Sequence, residues 1–281
     1  MLSHKPLICT LKVPDVVSKP TRQGRKTRTM VLTDRSCGTT YMYKVINPEL
    51  RLKKETAQEL VFSMSVYREL LRNAGIRVPS STFVFTADNR TVLNRGDVSF
   101  IVEELSTFVG NGKDVLDEIA EVKSKAELSK LYISLLETIY KAVSSETSPR
   151  DVKAGIMLNS HPSNFVKVGA ECFYVDFFAP MLRSNDNSLR LAAKLEGISE
   201  EQANFMFSDK RGIFIVPLIE ASLAKPEATR FLGGLTLSFL NYRGEKLTSQ
   251  YLAETMRRCY ENIGFLSGEQ LRILREASQS I

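Results

Sequence analysis

The sequence lacks tryptophan altogether and is poor in the side chains that bind zinc. It has only two histidines, His4 and His161, and its cysteines make no Cys-x-x-Cys pair. A structural zinc site needs about four such ligands at short spacing. We therefore expect no zinc centre, and we expect the scattered cysteines to be reduced thiols. They are Cys9, Cys37, Cys172 and Cys259.

Long apolar runs are also missing. No stretch approaches the ~20 apolar residues that a transmembrane helix requires. The sequence begins Met-Leu-Ser-His-Lys-Pro, which lacks the apolar centre of a signal peptide. We therefore expect a cytoplasmic protein that does not associate with membranes.

The positive charge is unevenly distributed. Residues 1–79 contain 15 Lys and Arg against 6 Asp and Glu, a balance of +9 that leaves −3 for the rest of a chain whose net charge is +6. This bias favours an anionic ligand such as a nucleotide, a phosphorylated substrate or RNA, although a solvated basic surface is the simpler alternative. No aromatic-rich RNA-binding pattern is present, so nucleic acid is not the expected partner.

The most informative segment contains Asn159-Ser-His-Pro-Ser-Asn164-Phe165, followed closely by Phe173-Tyr-Val-Asp176-Phe-Phe. The pattern indicates a polar loop and then a buried strand with a carboxylate at its end. Amide and carboxylate oxygens are hard ligands that suit Mg²⁺ holding nucleotide phosphates. The simpler reading of Pro-Ser-Asn is a turn.

A second informative segment lies upstream. The alternating run Thr39–Ile46 predicts a strand that carries Lys44 among largely apolar residues. An amphipathic helix is predicted over residues 53–73, with carboxylates at Glu55, Glu59 and Glu69. Gly75 and Pro79 mark its end. Strand lysine, helix glutamate, then Asn and Asp is the order of parts in kinase-type phosphoryl transfer.

These segments resemble the protein-kinase-like superfamily, on the side of the aminoglycoside phosphotransferases, fructosamine kinases and choline kinases. The residues that carry the resemblance are Gly-Ile-Arg-Val-Pro at 75–79, His-Pro-Ser-Asn-Phe at 161–165 and Tyr-Val-Asp-Phe at 174–177. The resemblance spans roughly residues 8–182. It implies an α+β, two-lobed protein-kinase-like fold: a small antiparallel β lobe with one helix over 1–105, and a larger mainly helical lobe over 106–281.

The resemblance also implies roles for single residues. Lys44 would contact the α and β phosphates of ATP or another nucleoside triphosphate, and Glu59, or Glu55 one turn earlier, would pair with it. Asn164 and Asp176 would hold Mg²⁺. His161 would brace the loop. The backbone at a hinge comprising Glu103, Glu104 and Leu105 would contact the base.

Two departures from the family pattern bear on activity. The family's catalytic base is an Asp five residues before the metal-binding Asn, and here that position is Asn159, whose amide cannot accept a proton. The segment Lys19–Arg28, expected between strands at 8–13 and 29–33, has one glycine where the family has a glycine-rich loop. Its five basic side chains would bind phosphate or simply form a solvated hairpin.

The remaining pattern gives a coarse secondary structure. Strands are predicted at 81–86 and 99–105 around a turn at 88–90, and residues 109–113 are predicted to connect them to the second part of the chain. The first helix of that part is predicted from Ser124, with a capping box to Glu127. Beyond Pro180 the chain is predicted to be helical, with capping boxes at Ser199–Gln202 and Ser267–Gln270.

Two functions follow from the sequence. The first is an atypical ATP- and Mg²⁺-dependent phosphotransferase that acts on a small-molecule or protein hydroxyl, with Asn159 only orienting the acceptor. The alternative is a pseudokinase, a catalytically impaired module that senses nucleotide or binds a protein partner. Loss of the base costs about 10²- to 10⁴-fold in rate, yet nucleotide binding survives such a loss because phosphoryl transfer depends mainly on positioning and charge.

Overall fold

A computed structural model describes residues 16–20, 27–34, 37–46, 52–92, 98–144, 156–178, 180, 182, 186–207, 209, 211–261 and 267–280. The protein is α+β, with a small antiparallel sheet and a mostly helical second part. The chain forms two compact units. One comprises Met1–Glu69 and Pro79–Val109, and the other comprises Leu70–Val78 and Gly110–Ile281.

The first unit is built on five antiparallel strands in the order β1-β2-β3-β5-β4, with most of one helix between β3 and β4. The strands are β1 (Val16–Pro20), β2 (Thr27–Asp34), β3 (Thr40–Ile46), β4 (Ser81–Val92) and β5 (Val98–Thr107), and the helix is α1 (Lys54–Asn73). The predicted strand at 39–46 and helix at 53–73 are confirmed. The predicted turn at 88–90 is wrong, because β4 continues to Val92.

Helix α1 ends as its sequence predicts. Gly75 has a φ of 77°, a left-handed conformation that glycine adopts without the steric cost of a Cβ. Its amide donates to the carbonyl of Arg72 at 2.9 Å, and the amide of Ile76 donates to that of Leu71 at 3.0 Å. These two bonds satisfy carbonyls at the helix end, and the chain then turns toward Val78.

The second unit contains a two-stranded sheet and the remaining helices of the described chain. The strands are β6 (Phe165–Val168) and β7 (Glu171–Tyr174), and a 3₁₀ turn (Pro162–Asn164) precedes β6. The helices are α2 (Val115–Glu121), α3 (Lys125–Ser144), α4 (Asp186–Glu196), α5 (Glu200–Phe207), α6 (Gly212–Ala224), α7 (Thr229–Tyr242), α8 (Ser249–Glu261) and α9 (Gly268–Ser280). The described residues beyond Pro180 are mainly helical, as expected.

Helix α6 is the apolar centre of this unit. It packs against α2, α5, α7, α8 and α9, and ten of its thirteen residues are buried. Its first residue, Gly212, lies so close to α5 that a Cβ there would be 2.1 Å from the carbonyl oxygen of Phe205. Close packing therefore fixes α6 against the end of α5.

Local sequence signals place several helix starts. Ser199 and Gln202 form a reciprocal capping box, with bonds of 2.9 and 3.1 Å, and Ser267 and Gln270 form another, with bonds of 2.9 and 3.2 Å. The hydroxyl of Ser124 accepts from the amide of Glu127 at 3.1 Å, as predicted for α3.

Among the described residues, no helix combines the length and the apolar character needed to cross a bilayer.

Candidate functional site

The β6–β7 hairpin brings the polar loop and the predicted carboxylate together. Phe165 is directly opposite Tyr174, and their buried rings meet edge to face with centroids 5.2 Å apart. Just beyond this pair, the amide of Val175 donates to the carbonyl oxygen of Asn164 at 2.9 Å. Asn164 therefore lies beside Val175, the residue that precedes Asp176.

Asn164 is held by three hydrogen bonds. Besides accepting from Val175, it donates from its backbone N to the carbonyl of His161 at 2.9 Å and from its side-chain Nδ2 to the carbonyl of Asn159 at 3.1 Å. Because the amide nitrogen is committed to the loop, the side chain has Oδ1 to offer to a ligand. An amide oxygen is a suitable Mg²⁺ ligand.

Asp176 is half-buried at the start of the segment after β7. Its Oδ1 accepts from the amide of Phe178 at 3.2 Å, which orients the carboxylate. The strand itself is fixed on its other side, since the amide of Tyr174 donates to the carbonyl of Arg77 at 2.9 Å. The carboxylate of Asp176 is therefore held in a defined position two residues beyond the end of β7.

The amide oxygen of Asn164 and the carboxylate of Asp176 fit Mg²⁺ only if other oxygens complete the coordination shell of the ion. The described residues contain no group of three or more His, Cys, Asp or Glu that would hold a metal. Mg²⁺ characteristically takes one or two protein ligands and completes its octahedral shell with phosphates and water. As the resemblance predicts, Asn164 and Asp176 would supply two oxygens to such an ion.

Asn159 occupies the position of the expected base. Asn159 is 8% exposed. Its side-chain Oδ1 is buried and has no hydrogen-bond partner in the described part of the chain. The neighbouring Ser160 is fully buried, and its Oγ is likewise without such a partner. An amide oxygen can accept a hydrogen bond from a hydroxyl but cannot take its proton.

The start of the loop is anchored on α5. The amide of Leu158 donates to the carbonyl of Phe207, the last residue of that helix, at 3.0 Å. Leu158 and Phe207 are fully buried. The segment that carries Asn159 is therefore supported by packing as well as by Asn164.

His161 pairs with a residue that the sequence analysis did not single out. Its Nδ1 contacts Oε1 of Glu220 on α6. The predicted role of His161 as a brace of the loop is consistent with this pair, and Glu220 is the missing partner. The signal for it was present in the sequence as a single charge within the apolar run Ile213–Ala224.

Lys44 lies in β3, and the structure corrects its expected partner. Its Nζ is 3.5 Å from Oε2 of Glu104, directly across the ladder in β5. Glu59 and Glu55 are exposed on α1. The reason is strand register: β3 and β5 are neighbours, so a buried carboxylate stands beside the lysine without any contribution from the helix.

The strand predicted to end in a hinge at residues 103–105 instead continues to Thr107. Glu103 and Leu105 lie within β5, which is paired with β3 on one side and β4 on the other. Their backbone groups therefore belong to the sheet and are not available to a base. The Glu103 carboxylate accepts from the hydroxyl of Tyr43 and, at 3.0 Å, from Thr86 Oγ1. It serves a buried network on the sheet.

Some predicted elements can be compared with the structure only in part. The strand at 8–13 and residues 21–26 of the basic segment lie outside the described residues. Lys19 and Pro20 belong to β1, while Thr27 and Arg28 belong to β2. The predicted loop is therefore shorter than residues 19–28.

Comparison with known proteins adds little to this geometry. No protein-family model matches the chain, and no curated protein matches it. Among solved structures, it is similar to the Drosophila melanogaster PAN3 pseudokinase, with 11% identity and a TM-score of 0.43. The match covers 94% of this chain, which spans 65% of the length of that structure. A likeness at this level assigns neither a family nor an activity.

Proposed function

We propose that this chain is a kinase-like domain that binds a nucleoside triphosphate with Mg²⁺ and has lost most or all of its phosphoryl-transfer activity. The observation that supports the proposal is the hydrogen-bonded set Asn159, Asn164 and Val175: Asn164 bonds the backbone of Asn159 and the amide of Val175, which directly precedes Asp176. Two metal ligands are kept in a supported geometry, while the proton acceptor is replaced.

The loss of the base supports binding without efficient chemistry. A general base contributes about 10²- to 10⁴-fold to a rate, whereas metal and phosphate binding do not need it. The protein then acts through its nucleotide-bound state, as a sensor or as an interaction module for a protein partner. Lys44, which the resemblance predicts to contact phosphate, pairs with Glu104 within the first unit, and the proposal does not depend on it.

A second candidate is a slow phosphotransferase. The observation in its favour is the buried Oδ1 of Asn159, which has no partner in the described part of the chain. An acceptor hydroxyl would satisfy this oxygen, because burying an acceptor without a donor costs about 1–3 kcal/mol. In that case Asn159 orients the hydroxyl, and the proton leaves to phosphate or water.

The proposal is tested by thermal shift with ATP and with GTP, each with and without Mg²⁺. A ligand that binds only the native state raises the melting temperature by mass action. We expect a Mg²⁺-dependent rise in the wild type, and a hydrolysis assay then separates the two candidates. No shift at millimolar nucleotide would refute both.

A further inference from the structure

Helix α6 carries a single charged residue. Glu220 lies in the sequence Gly-Ile-Phe-Ile-Val-Pro-Leu-Ile-Glu-Ala-Ser-Leu-Ala, whose other members are apolar or small. A carboxylate on a buried helix is costly unless it is paired, so its presence calls for a partner. That partner comes from the polar loop.

The partner is His161. A carboxylate can only accept, so Nδ1 of His161 carries the proton and donates to Oε1 of Glu220. The two side chains are 20% and 26% exposed, which leaves the pair partly shielded from water. The other oxygen, Oε2 of Glu220, is buried and has no partner among the described residues.

The pair is continuous with the proposed metal site. The carbonyl of His161 accepts from the amide of Asn164, whose Nδ2 holds the carbonyl of Asn159 and whose carbonyl accepts from Val175. All of these hydrogen bonds lie within the second unit. Fixing the imidazole therefore fixes the turn that presents Asn164.

We infer that Glu220 is a positioning residue: through His161 it holds the turn Pro162–Asn164 so that Asn164 and Asp176 bind Mg²⁺ together. The inference rests on the proposed function. Glu220 touches neither metal nor nucleotide in this assignment, and the effect of its loss falls on the metal-dependent part of binding.

Three variants isolate the role. Glu220→Ala removes the acceptor, His161→Ala removes the donor from a loop position, and Glu220→Gln keeps an acceptor oxygen of the same shape. Glu201→Gln on neighbouring α5 is the matched control, because Glu201 is exposed. Removing an outer partner of a metal ligand typically costs about 10- to 100-fold in metal affinity.

The first readout is ATP affinity with Mg²⁺ and with EDTA. We expect both alanine variants to lose about 10- to 100-fold of the Mg²⁺-dependent affinity while affinity in EDTA stays unchanged. Glu220→Gln should lose less than Glu220→Ala, and Glu201→Gln should match the wild type. A merely structural role would lower both affinities together.

The second readout needs no nucleotide. Amide hydrogen exchange at Asn164 and Val175 should quicken in both alanine variants, while the amides of α3 keep their protection. Unchanged exchange there would overturn the inference, even if the variants were less stable overall.

The outcomes separate the two proposals. If the wild type binds Mg·ATP and the alanine variants bind it equally well, Glu220 has no positioning role and the proposed function stands. If the wild type binds no nucleotide but exchange at Asn164 quickens in the alanine variants, Glu220 does hold the turn through His161, and the proposed function is wrong. If neither effect is seen, both are wrong.

Discussion

The side-chain Nδ2 of Asn164 donates to the main-chain oxygen of Asn159 at 3.1 Å. The bond uses the backbone of Asn159 and leaves its side chain uncommitted. A substitution at 159 can therefore change the chemistry at this position without removing the support of the metal ligand.

Asn159→Asp is the first prediction. The change restores a proton acceptor of almost the same shape, so turnover of nucleotide should rise by up to about 10²- to 10⁴-fold if an acceptor hydroxyl is aligned. Nucleotide affinity should fall slightly, because a negative charge is added near phosphate. Steady-state and single-turnover hydrolysis assays measure both effects.

A gain in turnover would identify the loss of the base as the main defect. Asn159→Ala is the control. It removes the amide but supplies no proton acceptor, so it should give no gain in turnover. Equal turnover in the Asp, Ala and wild-type proteins would remove Asn159 from the chemistry.

The second prediction concerns the ion pair of Lys44 and Glu104, whose side chains are 13% and 2% exposed. Lys44→Met leaves the buried carboxylate of Glu104 without a counter-charge. It should lower the free energy of unfolding by about 3 kcal/mol or more. Glu104→Gln should cost less, about 1–2 kcal/mol, because the amide still bonds its neighbours and the lysine can extend toward water.

The double variant Lys44→Met with Glu104→Gln should recover much of the loss of Lys44→Met, since no charge is then left unpaired. Lys54→Met, at an exposed site on α1, is the control and should change stability by less than about 0.5 kcal/mol. Urea unfolding of the wild type, the two single variants and the double variant completes the cycle. Additive losses would show that the pair is not coupled.

Thiol reactivity gives a third prediction. Burial raises the pKa of the Cys259 thiol to about 12 and raises the pKa of the Cys172 thiol, which also bonds Ser134. The reactive thiolate forms only as pH approaches these values, so both should alkylate slowly at pH 8. Cys37 is exposed and should react first.

Mass spectrometry after brief treatment with iodoacetamide checks this, in a Cys9→Ser background so that only these three thiols are followed. All three should react in urea, where burial is lost. Native Cys259 labelled as quickly as Cys37 would contradict the packing of α8.

Much of the fold follows from local sequence signals. Alternation gave β3, helical spacing with a glycine stop gave α1, and serine–glutamine boxes gave the starts of α5 and α9. Helix α2 was missed because seven residues carry too short a pattern. Its cap was visible, since Asp114 accepts from the amide of Asp117 at 2.8 Å.

Contacts between residues that are close in the chain follow from local patterns. Asn164 and Val175 are joined by one short hairpin, and their hydrogen bond lies just beyond its end, whereas the metal site itself stays a prediction. Glu104 and Glu220 are far in sequence from Lys44 and His161. Their pairing depends on strand order and helix packing, which no local pattern encodes.

The most direct measurement is calorimetric titration of ATP into the wild type and into Asp176→Asn, each with Mg²⁺ and with EDTA. Asp176→Asn removes a charge and little volume, so the fold should be kept. We expect Mg²⁺ to strengthen binding to the wild type, Asp176→Asn to abolish this gain, and Glu201→Gln to retain it. Equal affinity and equal Mg²⁺ dependence in the wild type and Asp176→Asn would show that Asp176 is not a metal ligand and that the proposed Mg²⁺ site is wrong.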